Sequence, residues 1–130
     1  MKKRTSFLIL AFVALAGLYS CTKDKTSTGP VVDCTGVNAA KNTFALNIKN
    51  NIVDVYCNYS PCHDAGTASG GIDMSTYTGV VDAFKNTRGT GSAICAVTNG
   101  GCELMPKNST ALPDSLIKQM KCWQANGYPQ

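Results

Sequence analysis

Apolar residues recur at three- and four-residue steps in three parts of the chain, and helices are expected at each. Ala40, Phe44, Ile48, Ile52 and Val55 form one stripe with Lys41, Lys49 and Asp54 between them, which predicts a helix over residues 37–56. Tyr77, Val80, Val81 and Phe84 mark a second, shorter helix, with Ser75 as its expected N-cap. Leu116, Ile117, Met120 and Trp123 line one face of a third, over residues 113–126. Pro113 suits its first turn, Asp114 favours its positive end, and Gly127 with Pro129 stops it. One or two helical turns are expected over residues 93–98. Residues 64–71, 86–92 and 99–101 are small, polar or Gly-rich and read as loops. The expected fold class is all-α.

The first twenty residues stand apart from this pattern. Lys2, Lys3 and Arg4 precede an apolar run over residues 7–18, too short to span a bilayer comfortably, which reads as an export signal. Its ending, Leu18-Tyr19-Ser20-Cys21, resembles a bacterial lipoprotein signal, in which Cys21 receives lipid and becomes the mature N-terminus. Residues 22–32 are rich in Thr, Ser and Lys, carry Gly29-Pro30 and lack apolar periodicity, so they read as a flexible tether. The expected division is a signal peptide over 1–20, a tether over 21–33 and one small domain over 34–130. This division changes the charge argument. The chain of 130 residues has a net charge of +4, but three of its twelve basic residues and none of its eight acidic ones lie in the signal. Nine basic then face eight acidic residues, and the balance gives no reason to expect nucleic-acid binding.

Beyond Cys21 six cysteines remain: Cys34, Cys57, Cys62, Cys95, Cys102 and Cys122. An exported chain meets an oxidising compartment, so disulfides are expected. Cys95 and Cys102 flank a Gly-rich turn and are paired on that ground. Cys34 is then left to join Cys122, tying the start of the domain to its last helix. Other connectivities stay open, because the count is even whether or not Cys57 and Cys62 bond to each other.

The candidate chemistry lies in Cys57-Asn58-Tyr59-Ser60-Pro61-Cys62-His63. Two thiols followed directly by a histidine are how a chain fastens haem covalently: the thiols add across the porphyrin's vinyl groups and the histidine ligates the iron. The usual spacing is C-x-x-C-H, and here two more residues intervene. The porphyrin fixes how far apart the sulfurs sit, not how many residues bulge between them, and Pro61 can shape such a bulge. The plain alternative is a small disulfide loop beside a surface histidine. Met105-Pro106 follows later in the chain, before the last helix. A thioether suits haem iron opposite a histidine and raises its potential. Met74 reads more simply as core filler, Arg88 as a solvated loop residue rather than a propionate partner, and Trp123 as packing between the terminal helices. A structural zinc site on Cys57, Cys62, His63 and a further cysteine is disfavoured, since exported cysteines oxidise.

In order, the first helix, Cys57…Cys62-His63, Gly70-Gly71-Ile72-Asp73-Met74-Ser75-Thr76-Tyr77, Met105-Pro106 and a last helix bearing Trp123 and ending at Gly127 resemble the small c-type cytochrome domains of bacterial lipoproteins. The resemblance spans residues 37–129 and departs from the pattern in the C-x4-C spacing. It implies a small class I cytochrome c-like helical domain carrying haem c. Cys57 and Cys62 would be its thioether donors, with His63 and Met105 as iron ligands. Both axial positions would be filled, so electron transfer to redox proteins of the cell envelope is implied rather than an enzymatic activity; a haem enzyme such as a peroxidase would need a vacant position. The lipid anchor implies a membrane facing the periplasm, or the cell surface. The competing reading is a haem-free, disulfide-stapled envelope lipoprotein that binds a protein partner.

Overall fold

Helix formation begins at Thr43, whose hydroxyl accepts from the backbone N–H of Leu46 at 3.3 Å and so satisfies one of the helix's first free donors. The computed structural model describes residues 31–85 and 91–130. Cys21, the export segment, all but the last residues of the tether, and Arg88 lie outside the described residues. The helix capped by Thr43 is wound wide. Phe44–Val53 is a π-helix, continued by one α-helical turn, α1 (Asp54–Tyr56). Bonds such as Ile48 N–H to Thr43 C=O, at 3.1 Å, reach back five residues instead of four.

That winding corrects the expected stripe. With more than four residues to each turn, Ile48 shares its face with Phe44, Ile52 and Val53, all buried. Val55 would share that face in an α-helix; here it is 55% exposed. Ala40 is also exposed, because the chain before Thr43 makes turns rather than helix.

The remaining helices are α2 (Tyr77–Lys85), α3 (Ala93–Val97) and α4 (Asp114–Ala125), with a single 3-10 turn at Ser69–Gly71. Among the described residues there is no strand, and no helix is long and apolar enough to cross a membrane. The cap of α2 is Thr76, not Ser75: the Gly79 N–H donates to the Thr76 hydroxyl at 3.1 Å. Ser75 turns back instead, its N–H and hydroxyl both donating to Asp73 Oδ1. Those two bonds hold the Asp73 carboxyl below its ordinary range.

The core lies where α2 and α4 meet the π-helix. Trp123, fully buried on α4, packs against Phe44, Tyr77, Phe84 and Tyr128 at centroid distances of 5.0–6.3 Å, mostly edge to face. Its indole N–H donates to the Pro129 carbonyl at 2.8 Å, and the same carbonyl accepts from Phe44 N–H. The chain reaches this position because Gly127, at φ +78°, reverses it after α4. Gly127 N–H bonds to Gln124 C=O and Tyr128 N–H to Trp123 C=O, the pairing of a Schellman cap. The C-terminal residues thus seal the start of the π-helix.

Four cysteines are joined in two disulfides, Cys34–Cys122 and Cys95–Cys102. The first ties the start of the domain to α4, reinforced by Lys118 to Asp33 at 3.0 Å. Cys57 and Cys62 are both free thiols.

Candidate functional site

The free thiols belong to a loop that the end of the first helix positions. Asp54, opening α1, accepts from the Asn58 side chain at 2.9 Å and from Lys49. Partial burial pulls the Asp54 carboxyl upward, but the bonds from Asn58 and Lys49 and the lysine's charge outweigh it, and the net shift is downward. Cys62 N–H donates to Tyr59 C=O at 2.6 Å and His63 N–H to Cys57 C=O at 3.2 Å. These bonds close the five-residue reach from Cys57 to Cys62 into a compact bulge around Pro61.

His63 is held by the segment that follows. Its Nδ1 lies 3.1 Å from Ile72 C=O, and Met74 N–H donates to His63 C=O at 2.8 Å. A carbonyl only accepts, so Nδ1 carries the ring's hydrogen. Nε2 is then left as the lone-pair donor of the neutral imidazole. Metal-bound histidines are commonly oriented by such a backbone carbonyl.

Burial, and then the neighbouring Cys62, push the Cys57 thiol up to about 12, so it stays protonated and neutral at physiological pH. The Tyr59 hydroxyl is also shifted upward, first by its hydrogen bond to Cys62.

Met105 comes from a separate part of the chain. Its N–H donates to Ala96 C=O on α3 at 3.1 Å. That helix is capped by Ser92, whose hydroxyl accepts from Cys95 N–H.

Cys57, Cys62, His63 and Met105 all line one cavity of about 640 Å³. This lies within the roughly 300–1,000 Å³ usual for small-molecule and cofactor sites. Tyr56, Ile72 and Met74 add to its wall from the first half of the domain, and Ala93, Ala96 and Val97 of α3 from the second. Leu112 and Met120 link the cavity to the core. The wall is mostly apolar, with Ser69, Ser92, Glu103, Lys107 and Asn108 among its polar residues.

The donors do not converge. Among the described residues no three His, Cys, Asp or Glu side chains gather as a bare metal ion would need. Two thiols, an imidazole and a thioether line one mostly apolar cavity, and these are the donor types by which haem c would be held. Trp123 packs in the core and is not part of the cavity wall. Met74 does both: it is buried in the core and lines the cavity.

Two features of the site were not read from the sequence. The Ile72 carbonyl is a backbone group, which no side-chain pattern announces. Ala93 and Ala96 lie one turn apart on α3 and leave space where the other helices place bulky residues; small residues at helical spacing were the available signal.

The class defined so far is a small, disulfide-closed helical domain around a cavity lined by Cys, His and Met. No protein-family model, curated protein or solved structure matches the chain.

Proposed function

We propose that this domain is a c-type cytochrome that passes single electrons between redox proteins of the cell envelope, tethered to a membrane by lipid on Cys21. The observation that carries this reading is the shared cavity: all four residues the chemistry needs line one space of about 640 Å³, and both thiols in it are outside the two disulfides. Bound haem c would supply the one-electron couple. Cys57 and Cys62 would hold it by thioether bonds. His63 would ligate through Nε2, its ring oriented by Ile72 C=O. Met105 would provide the second axial ligand from the α3 side. Tyr56, Ile72, Val97 and Leu112 would keep water away, which helps set the potential.

The test is expression of the full chain with a cytochrome maturation system, followed by a haem stain on a denaturing gel. A stained band at the protein's mass, lost in Cys62→Ser, is expected. Met105→Ala is expected to keep the stain and change the iron's spin state. A colourless protein whose mass shows Cys57 bonded to Cys62 would leave the second reading, a haem-free envelope lipoprotein that binds a protein partner. That reading draws on the two disulfides, which close the domain without any cofactor.

A further inference from the structure

We propose that the Cys95–Cys102 disulfide is a redox-dependent staple for Met105: closed, it holds the thioether in the cavity wall, and opened by a dithiol, it releases it. This inference rests on the haem reading for its consequence, but not for its geometry.

The segment bearing Met105 has little else to hold it. From Thr98 to Ala111 no side chain is buried; the core resumes only at Val97 before it and Leu112 after it. The adjoining α3 has five residues, too few to be stable alone. Among the described residues its ties are the Thr98 N–H and hydroxyl bonds to Ile94 C=O, the Met105 N–H bond to Ala96 C=O, the Gly100 N–H bond to Cys95 C=O, an exposed Lys107–Glu103 pair and the disulfide. Exposed ion pairs add little.

The disulfide also packs behind the cavity wall. Gly91 lines the cavity and packs on the bridge so closely that a Cβ there would collide with Cys102 Sγ. Cys95 belongs to the helix that presents Ala93, Ala96 and the carbonyl bonded to Met105. A single covalent link therefore joins the α3 wall to the chain leading to Met105, with the Gly91 wall packed against it.

Its accessibility differs from that of the other bridge. Cys95 and Cys102 are both half-buried, as is Cys34, whereas Cys122, the partner of Cys34, is fully buried. Thiol–disulfide exchange needs an approach to sulfur, and an external dithiol can approach the Met105 bridge from either of its cysteines, the other bridge from Cys34 alone. The dithiol attacks one sulfur and forms a mixed disulfide. Its second thiol then displaces the cysteine. Cys95 and Cys102 gain two electrons and two protons, and the reagent leaves as a cyclic disulfide. With Met105 released, the second axial position is open to a small exogenous ligand.

The experiment compares the wild-type chain, oxidised and after native treatment with dithiothreitol, with Cys95→Ser/Cys102→Ser. Amide hydrogen exchange needs no haem. Met105 and Gly100 are expected to exchange about tenfold faster or more once the bridge is open, while Ile52 and Met120 keep their protection. In haem-loaded protein, opening the bridge is expected to abolish the thioether-to-iron charge-transfer band and permit carbon monoxide binding to the ferrous form. Covalent haem should remain, and reoxidation of the wild type should reverse both changes. Unchanged protection at Met105 overturns the proposal, as does a loaded, bridge-opened protein that keeps the band and excludes carbon monoxide. If the protein carries no haem, the cytochrome reading fails, and amide exchange alone decides whether the bridge positions Met105.

Discussion

The domain's two disulfides close regions of opposite character. Cys34–Cys122 spans 88 residues and fastens a region whose side chains pack on one another: Trp123 among four aromatic neighbours, and Ile48 and Ile52 fully buried. Cys95–Cys102 spans seven and fastens a region whose inner side faces a cavity and whose loop buries nothing. The difference places the packed core beside the first bridge and the cavity wall beside the second. Closing a long loop removes more disorder from the unfolded chain: in the chain-entropy treatment the long bridge contributes about 4.6 kcal/mol and the short one about 2.5 kcal/mol.

The strongest way to break the contrast is to open the long bridge. Cys34→Ser/Cys122→Ser is expected to lower stability by about 4.6 kcal/mol in urea titrations. If it costs less than the double variant of the short bridge, the assignment of roles is reversed.

Trp123→Ala tests the same region by packing. Removing a fully buried indole is expected to cost about 4 kcal/mol, read from the thermal or denaturant midpoint. A loss nearer that of a surface substitution would mean the aromatic cluster does not anchor the fold.

For the second region, Cys95→Ser/Cys102→Ser is expected to cost about 2.5 kcal/mol. Any loss of structure at residues 44–53, read by circular dichroism under native conditions, would show that the two regions are one cooperative unit.

The smallest effect is a pH dependence where the first helix hands over to the thiol loop. The Asp54 carboxyl lies below its ordinary 3.8 when folded. Its contribution is therefore complete above the unfolded value and is lost as pH falls through the folded one. The urea midpoint is expected to decline below about pH 4, and Asp54→Asn to flatten that decline slightly, since a partly exposed pair is screened. An unaltered slope in the variant would remove Asp54 from the account.

Legibility divides along the same line. The helices that build the packed region announce themselves by their apolar spacing, because burial against a neighbour demands one face. Even there the spacing misplaced Val55. A sequence stripe assumes α-helical turns, and the wider winding put Val53 in its place. Ser75 and Thr76 are equally good caps on paper; Asp73, by binding Ser75, left the role to Thr76. In the cavity region Cys57, Cys62, His63 and Met105 could be singled out by residue type. What holds His63 and Met105, the carbonyls of Ile72 and Ala96, carries no side-chain signature.

By itself the sequence determined that this is a helical domain with two thiols beside a histidine and a methionine far along the chain. Residue type and local period are properties of neighbours in the chain, so they could be read there. Only the tertiary structure decided that these four residues line a common cavity, whereas the pairings Cys95–Cys102 and Cys34–Cys122 were already expected from the chain. Convergence of distant segments depends on how helices of particular winding and length pack together. That is set by the sum of contacts, not by any one stretch.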